Sequence, residues 1–270
     1  MHSALKYAAA VILLSVSPLV AETGGKRPRP AVGSLTTWFT QIVPLVIVGE
    51  GWSQRIVLLN VDPAVPVIGT LQFYTRDGDP WTVQTTNQGT ASVFAVNLQP
   101  GQTAIIETVA LNSSQQLGWA LLELNTQGLG DVFGQTVFRK QTPGYQDFMC
   151  SMVLGGQGYK KLSVFFDNTG GNSTGMGVLT SQICSFGPCQ AMQLKVTVTA
   201  LDGSMISQHT ISQNLGVLYW MNLAADFPET AGRTGTFVVE VEQEFSTTLT
   251  GFSLQFAANS AFTVITPFEQ

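Results

Sequence analysis

Two stretches of this chain repeat one pattern, and the repeat limits what the chain can fold into. The first stretch runs from Gly118 to Phe138 and the second from Gly235 to Phe256. Each begins with glycine, alternates apolar with polar residues, breaks at a turn and returns as a second apolar strand that ends in phenylalanine. The offset of about 117 residues has the size of a domain. The repeat therefore predicts two copies of one fold.

The composition and the turns around the repeats favour β-structure. The chain has 16 phenylalanines, which are frequent in strands, and only 11% of its residues are charged. Short apolar strands recur about every 8–12 residues, and turn signals such as Asp77-Gly78 and Asp202-Gly203 separate them. Pro44 predicts an edge strand or a bulge. We therefore predict an all-β fold of two tandem antiparallel Ig-like β-sandwich domains, at residues 37–150 and 151–270.

The first 21 residues predict export. Lys6 supplies a positive charge, Ala8 to Val16 is apolar, and Ala21 is a small residue suited to cleavage before Glu22. An uncleaved membrane anchor is the alternative, but the apolar run is shorter than the ~20 residues that a span needs. Residues 22–36 are rich in Gly and Pro and predict a flexible leader. We expect a secreted protein, extracellular or periplasmic, without a membrane span after signal cleavage.

Export implies an oxidising compartment, and this bears on the three cysteines. Cys184 and Cys189 bracket Ser-Phe-Gly-Pro, so a local disulfide is predicted, with two free buried thiols as the alternative. The second copy is longer than the first at this point, so the pair is expected to staple an inserted loop. Cys150 is then left over, and we interpret it as a small buried apolar residue.

Several short motifs resemble those of a known group of proteins. They cover about residues 40 to 267, and they are Gly51-Trp52-Ser53, Ile56-Val57-Leu58-Leu59-Asn60, Gly118-Trp119-Ala120, Phe166-Asp167-Asn168-Thr169 and Ala261-Phe262-Thr263. With these motifs the chain resembles a group of uncharacterised secreted bacterial proteins that have a duplicated Ig-like β-sandwich unit. The resemblance implies the duplicated sandwich and export, and it implies no activity.

The sequence offers weak signals for catalysis, and its net charge of −5 also argues against nucleic acid as a partner. Residues 171–175 match the G-x-S-x-G pattern around Ser173, and Asp202 and His209 follow in the order that α/β-hydrolases use. That pattern requires a strand before the serine and a helix after it, and no part of this chain predicts such a unit. A serine hydrolase is thus a remote alternative, and we expect no enzyme.

A metal site is also weakly indicated. Asp167, Asn168 and Asn172 place several oxygens in one loop, as a Ca²⁺ site would require, but only Asp167 is charged. An Asx-type turn is the simpler interpretation. A zinc site would need more His and Cys ligands than the mature chain supplies. We expect no cofactor.

Aromatic residues give the best indication of binding, because exposed rings stack on sugars and anchor interfaces. Tyr74 and Trp81, which flank the Asp77-Gly78 turn, are the predicted binding patch. They belong to a wider set of rings near turns or on outward positions: Trp52, Tyr74, Trp81, Tyr145, Tyr159, Tyr219 and Trp220. We expect a non-catalytic extracytoplasmic binding or adhesion module for a glycan or a protein. The alternative is a structural or assembly subunit of a cell-surface layer or fibre that associates through edge strands.

Overall fold

Alternating apolar and polar residues form β-strands throughout the described chain, so the predicted all-β class is confirmed. The structure is a computed structural model that describes residues 37–111, 113–126, 132–141, 148–154, 159–180, 191–242, 249–258, 262–265 and 267–269. Its strand pairs are antiparallel. Within these ranges, helical structure consists of α1 (Leu223–Asp226) and a 3-10 turn (Pro228–Thr230). None of it has the length and hydropathy of a membrane span.

The first part of the chain forms two four-stranded sheets and a short ribbon. Its strands are β1 (Thr37–Val48), β2 (Trp52–Asn60), β3 (Val67–Thr75), β4 (Val83–Thr85), β5 (Gly89–Ala91), β6 (Val93–Leu98), β7 (Thr103–Glu107), β8 (Gln116–Thr126), β9 (Val132–Lys140) and β10 (Phe148–Val153). Sheet A has the order β1-β8-β3-β6, sheet B has the order β10-β9-β2-β7, and sheet C is the ribbon β4-β5. Strand β10 spans the predicted domain boundary and pairs with β9.

The second part of the chain forms two further sheets. Its strands are β11 (Lys161–Asp167), β12 (Ser173–Thr180), β13 (Ala191–Ala200), β14 (Met205–Asn214), β15 (Leu218–Asn222), β16 (Thr234–Val241), β17 (Leu249–Phe256), β18 (Phe262–Ile265) and β19 (Phe268–Glu269). Sheet D has the order β15-β12-β17-β18, and sheet E has the order β14-β13-β16-β11-β19. The predicted Asp202-Gly203 turn joins β13 to β14, with Gly203 at φ +84° and its N–H donating to the Ala200 carbonyl.

The strand orders of the two parts match. The order β1-β8-β3-β6 of sheet A reappears in sheet E as β11-β16-β13-β14, and the order β10-β9-β2-β7 of sheet B reappears in sheet D as β18-β17-β12-β15. The repeated sequence stretches occupy corresponding places, since one contains β8 and β9 and the other contains β16 and β17. In both, the first strand lies in one sheet and the returning strand lies in the other.

Each pair of sheets encloses an apolar core, because alternate residues of every strand point inward. Strand β6 shows the pattern clearly, since Phe94, Val96 and Leu98 are buried and the residues between them are exposed. The first core, between sheets A and B, includes Val46, Ile56, Leu58, Leu71, Phe73, Trp81, Phe94, Ile106, Leu122 and Val132. The second core, between sheets D and E, includes Leu162, Val164, Phe166, Met176, Val178, Leu194, Val196, Met221, Phe237 and Val239.

A third cluster, the junction core, joins sheet A and one end of sheet B to sheet D. It contains Ile42, Leu45, Ile47, Trp52, Tyr74, Trp119, Leu121, Phe138, Met152, Leu179, Leu218, Phe252 and Leu254. Strand β1 contacts both β12 and β17 there. The register of β1 shifts between Val43 and Val46, so the irregularity predicted at Pro44 is present. Beyond it, Val46 and Val48 belong to the first core while Leu45 and Ile47 belong to the junction core. The main contacts therefore give the layer order B, A, D, E, and β10 of sheet B also contacts β18 of sheet D.

Some predictions fall outside the described residues. These are the signal peptide at residues 1–21, the leader at 22–36, and the Cys184–Cys189 disulfide. Cys150 lies in β10 as a free, half-buried thiol that packs against the junction core. Burial raises the pKa of this thiol to about 12, so it stays protonated and unreactive at neutral pH.

Candidate functional site

The predicted aromatic patch is not exposed. The relative exposures of Tyr74 and Trp81 are 6% and 8%, so neither ring can stack on a ligand. The chain folds back after the Asp77-Gly78 turn, where the Trp81 N–H donates to the Phe73 carbonyl, and the Trp81 ring fills the first core beside Gly118. Tyr74 stacks on Trp119 in the junction core, with ring centroids 4.3 Å apart.

The residues of the hydrolase pattern lie apart from one another. Ser173 begins β12 in sheet D, whereas His209 lies on β14, at the edge of sheet E. The His209 Nε2 is 2.6 Å from a carboxylate oxygen of Glu229, and that same oxygen accepts a hydrogen bond from Ser207. Asp202 accepts hydrogen bonds from the backbone and hydroxyl of Ser204, and these bonds lower the pKa of its carboxyl. No nucleophile–base pair results from this placement.

The oxygens of the predicted calcium loop are occupied by hydrogen bonds. Asp167 accepts bonds from the backbone N–H and hydroxyl of Thr169 and from the amide of Asn172. The two bonds from Thr169 are the main reason why the pKa of Asp167 is lowered. The buried Asn168 side chain links Thr174 to Thr230. This is the geometry of an Asx turn, and the described residues contain no cluster of three or more His, Cys, Asp or Glu that could hold a metal ion.

An apolar pocket of about 250 Å³ opens at one margin of the junction between sheets A and D. Sheets A and D form most of its walls, and Trp52 comes from the start of β2 in sheet B. The described residues of its lining are Leu45, Ile47, Trp52, Arg76, Gln115, Leu117, Leu218, Trp220, Phe252, Leu254 and Phe256. Nine of these eleven residues are apolar or aromatic. The pocket is therefore the candidate functional site, because concave apolar sites with few polar groups are the usual form of ligand sites.

Two glycines of β12 shape the wall on sheet D. Gly175 and Gly177 face the junction, while the alternating Met176 and Val178 fill the second core. A Cβ atom at Gly175 would collide with the indole of Trp220, and one at Gly177 would collide with the ring of Phe252. The two rings therefore lie close over the strand, with centroids 5.8 Å apart and planes inclined by 26°.

The opposite wall comes from the strands on either side of a tight turn. Leu45 and Ile47 end β1, and Trp52 begins β2. Between these strands, Gly49, Glu50 and Gly51 all have positive φ, which closes the turn within three residues. The Lys140 ammonium lies 5.2 Å from the centre of the Trp52 ring, within the range of a cation–π contact. This wall is thus apolar, with a positive charge behind it.

Arg76 is the one charged residue among the described residues of the lining. Its backbone N–H donates to the Leu117 carbonyl in β8 at 3.0 Å, and its carbonyl accepts from the Leu218 N–H in β15 at 2.8 Å. Arg76 therefore connects sheet A to sheet D at the pocket. Its side chain is exposed, and among the described residues its guanidinium forms no ion pair.

Sequence reasoning missed this pocket, although it counted Trp52 and Trp220 among the aromatic residues that can bind. The available signal was the Gly-x-Gly alternation of β12, which marks a strand face that another group covers closely. Among the described residues, the lining contains no Ser, Cys, His, Asp or Glu, so this part of the lining can hold a ligand but offers no nucleophile or general base. No family model matches the chain, and no curated protein or solved structure was found to be similar to it.

Proposed function

We propose that this chain is an exported, non-catalytic binding protein whose ligand places an apolar group in the pocket between sheets A and D. The observation that carries the proposal is the aromatic wall of Trp220 and Phe252, set over Gly175 and Gly177. The two glycines let both rings lie close against β12, so the rings form a wall of the pocket instead of filling it. The described part of the lining holds no acid, base or nucleophile, which supports binding without chemistry.

We further propose the architecture and destination that the sequence predicts. The chain would be two tandem Ig-like sandwich domains, exported by the signal at residues 1–21 and stapled by a Cys184–Cys189 disulfide. The matching strand orders of the two sheet pairs support the duplication. They also agree with the spacing of the repeated stretches in the sequence.

The lining favours an apolar small molecule over the glycan that the aromatic residues first suggested. A sugar needs hydrogen-bond partners for its hydroxyl groups, and Gln115 and Arg76 are the polar side chains of the lining. The leucine, isoleucine and tryptophan side chains of the lining instead favour a hydrocarbon group. Moving apolar surface out of water contributes a favourable free energy of roughly 25 cal/mol per Å².

An assembly subunit stays as the second candidate, and one observation favours it. Strand β14 (Met205–Asn214) forms an edge of sheet E over ten residues, without proline, lysine or arginine. Edges of this length are usually protected by charge or proline, because an open edge can pair with another chain. Light scattering on the purified protein distinguishes the candidates, since assembly requires multimers that grow with concentration.

The binding proposal is tested by titrating the purified full chain with N-phenyl-1-naphthylamine, a neutral dye that fluoresces in apolar sites. We expect saturable binding at one site. The substitution Leu117→Trp, which fills the half-exposed margin of the pocket, should abolish it. The matched substitution Leu59→Trp, at a half-exposed leucine on the outer face of sheet B, should not. Equal binding by both variants, or no binding by the unsubstituted protein, would refute the proposal.

A further inference from the structure

We propose that the ligand is a hydrophobic monocarboxylic acid, with its hydrocarbon part in the pocket and its carboxylate on Arg76. This inference rests on the proposed binding function and adds the chemical class of the ligand. The structural basis is the combination of nine apolar lining residues with one cation at the same site.

Arg76 is available to an anion. Its side chain is exposed, and neither of the two ion pairs in the described part of the chain involves it. Asp77 and Asp79 lie in the adjoining turn, yet neither is within ion-pairing distance of its guanidinium. By contrast, Arg55 on sheet B is paired with Glu107 at 2.9 Å. Within the described ranges the Arg76 cation thus has no ion-pair partner, in a chain whose net charge is −5.

The backbone of Arg76 is held in place on both sides of the pocket. Hydrogen bonds tie it to Leu117 in sheet A and to Leu218 in sheet D. The turn that follows it packs closely as well, because a Cβ atom at Gly78 would lie 2.8 Å from the Gly216 carbonyl oxygen. A fixed backbone lowers the entropy that is lost when the side chain engages a ligand.

The charges around the pocket favour one carboxylate over a phosphate. A guanidinium binds a carboxylate through two parallel hydrogen bonds, which one arginine can supply alone. A phosphate group carries up to two charges and three acceptor oxygens, and it usually needs several donors. The second cation nearby, Lys140, is placed over the Trp52 ring and adds a positive potential on the same wall.

The size of the pocket limits the hydrocarbon part. Its volume of about 250 Å³ equals roughly eight molecules of liquid water at ~30 Å³ each. A chain of roughly six to ten carbon atoms fits this space, by the same volume comparison. Longer chains would extend past Arg76 into solvent and gain little further burial.

The experiment measures how well octanoate and 1-octanol displace N-phenyl-1-naphthylamine from the full-length protein. The two competitors share a hydrocarbon chain and differ in charge, so the ratio of their affinities reports the contribution of the carboxylate. We expect octanoate to bind more tightly, by roughly tenfold. The substitution Arg76→Gln should bring the ratio close to one, while Arg76→Lys, which keeps the charge, should retain part of it.

Arg55→Gln is the matched control, since Arg55 is an arginine on the outer face of sheet B, away from the pocket. It should leave the ratio unchanged. A ratio near one in the unsubstituted protein, or a ratio that Arg76→Gln does not alter, would overturn the carboxylate assignment while leaving the apolar pocket intact. Failure of the dye itself to bind would instead remove the proposed function together with this inference.

Discussion

Single glycines set the form of the candidate site. At Gly175 and Gly177 the missing side chain matters more than backbone freedom, because neither residue has positive φ. The space that they leave lets two aromatic rings lie against β12.

A polar residue, Gln54, also helps to set the form of the candidate site. Its buried side chain donates to the Leu45 carbonyl and accepts from the Ile47 N–H, which holds the end of β1 at the pocket wall.

The substitution Gly177→Ala tests the ring wall. The added methyl group collides with Phe252, so we expect the free energy of unfolding to fall by about 1–3 kcal/mol, as overpacking usually costs. The measurement is urea unfolding followed by circular dichroism. In a Phe252→Leu background the same substitution should cost less than half as much, because the ring is gone. Additive costs in the double variant would show that the ring does not constrain this position.

Equivalent strands differ in what covers them. Strands β8 and β16 hold the same place in their sheets, but their outward faces have different neighbours. On β8, Trp119 and Leu121 are buried in the junction core, whereas on β16 the outward Thr236 and Val238 are only half-buried. The sequence difference between the two repeats therefore follows from the layer order, in which sheet A is internal and sheet E is external.

Threonine at two matched positions tests this contrast. Leu121→Thr removes apolar contacts from the junction core and buries a hydroxyl, so we expect a loss of about 2–4 kcal/mol in the free energy of unfolding. Val238→Thr keeps the side-chain shape on a half-exposed face and should cost under about 1 kcal/mol. Both are measured as shifts of the urea midpoint. Similar losses at the two positions would contradict the assignment of sheet A as an internal layer.

The elements show what the sequence can and cannot predict. The residues that favour a turn or a bulge act locally, so the Asp202-Gly203 turn and the irregularity at Pro44 could be predicted from a few residues. Burial of Tyr74 and Trp81 could not, because an alternating pattern marks an apolar face without saying what covers it. The pocket could not be predicted for the same reason, because its walls combine residues that are far apart in the sequence, such as Leu45 and Phe256.

The whole molecule depends on the junction core. Thr36 to Gln270 form one compact unit, and the described part of this unit has three apolar cores rather than two. Residues on the outward faces of sheets A and D become buried only when the sheets meet. The two sheet pairs therefore gain stability from each other, which couples their unfolding.

Unfolding is accordingly expected to be a single cooperative transition. Tryptophan fluorescence reports the first core and the junction, and far-ultraviolet circular dichroism reports all the sheets, so the two thermal curves should coincide. In calorimetry, the calorimetric and van't Hoff enthalpies should agree. Two separate transitions in the unsubstituted protein would mean that the junction contributes little. Weakening it with Leu121→Thr should move the two curves apart.

The order of the layers also gives the stack a direction. Sheets A and E share one strand order and sheets B and D share the other, so the contact at the junction joins two unlike faces. A contact of that kind is not self-complementary, so its repetition between molecules forms a ring if the rotation closes and a fibre if it does not. The outer face of sheet E interrupts the series, because the half-buried Thr236 and Val238 stand where sheet A carries the large apolar side chains Trp119 and Leu121. Smaller side chains at the end of the stack thus keep this packing mode within one molecule.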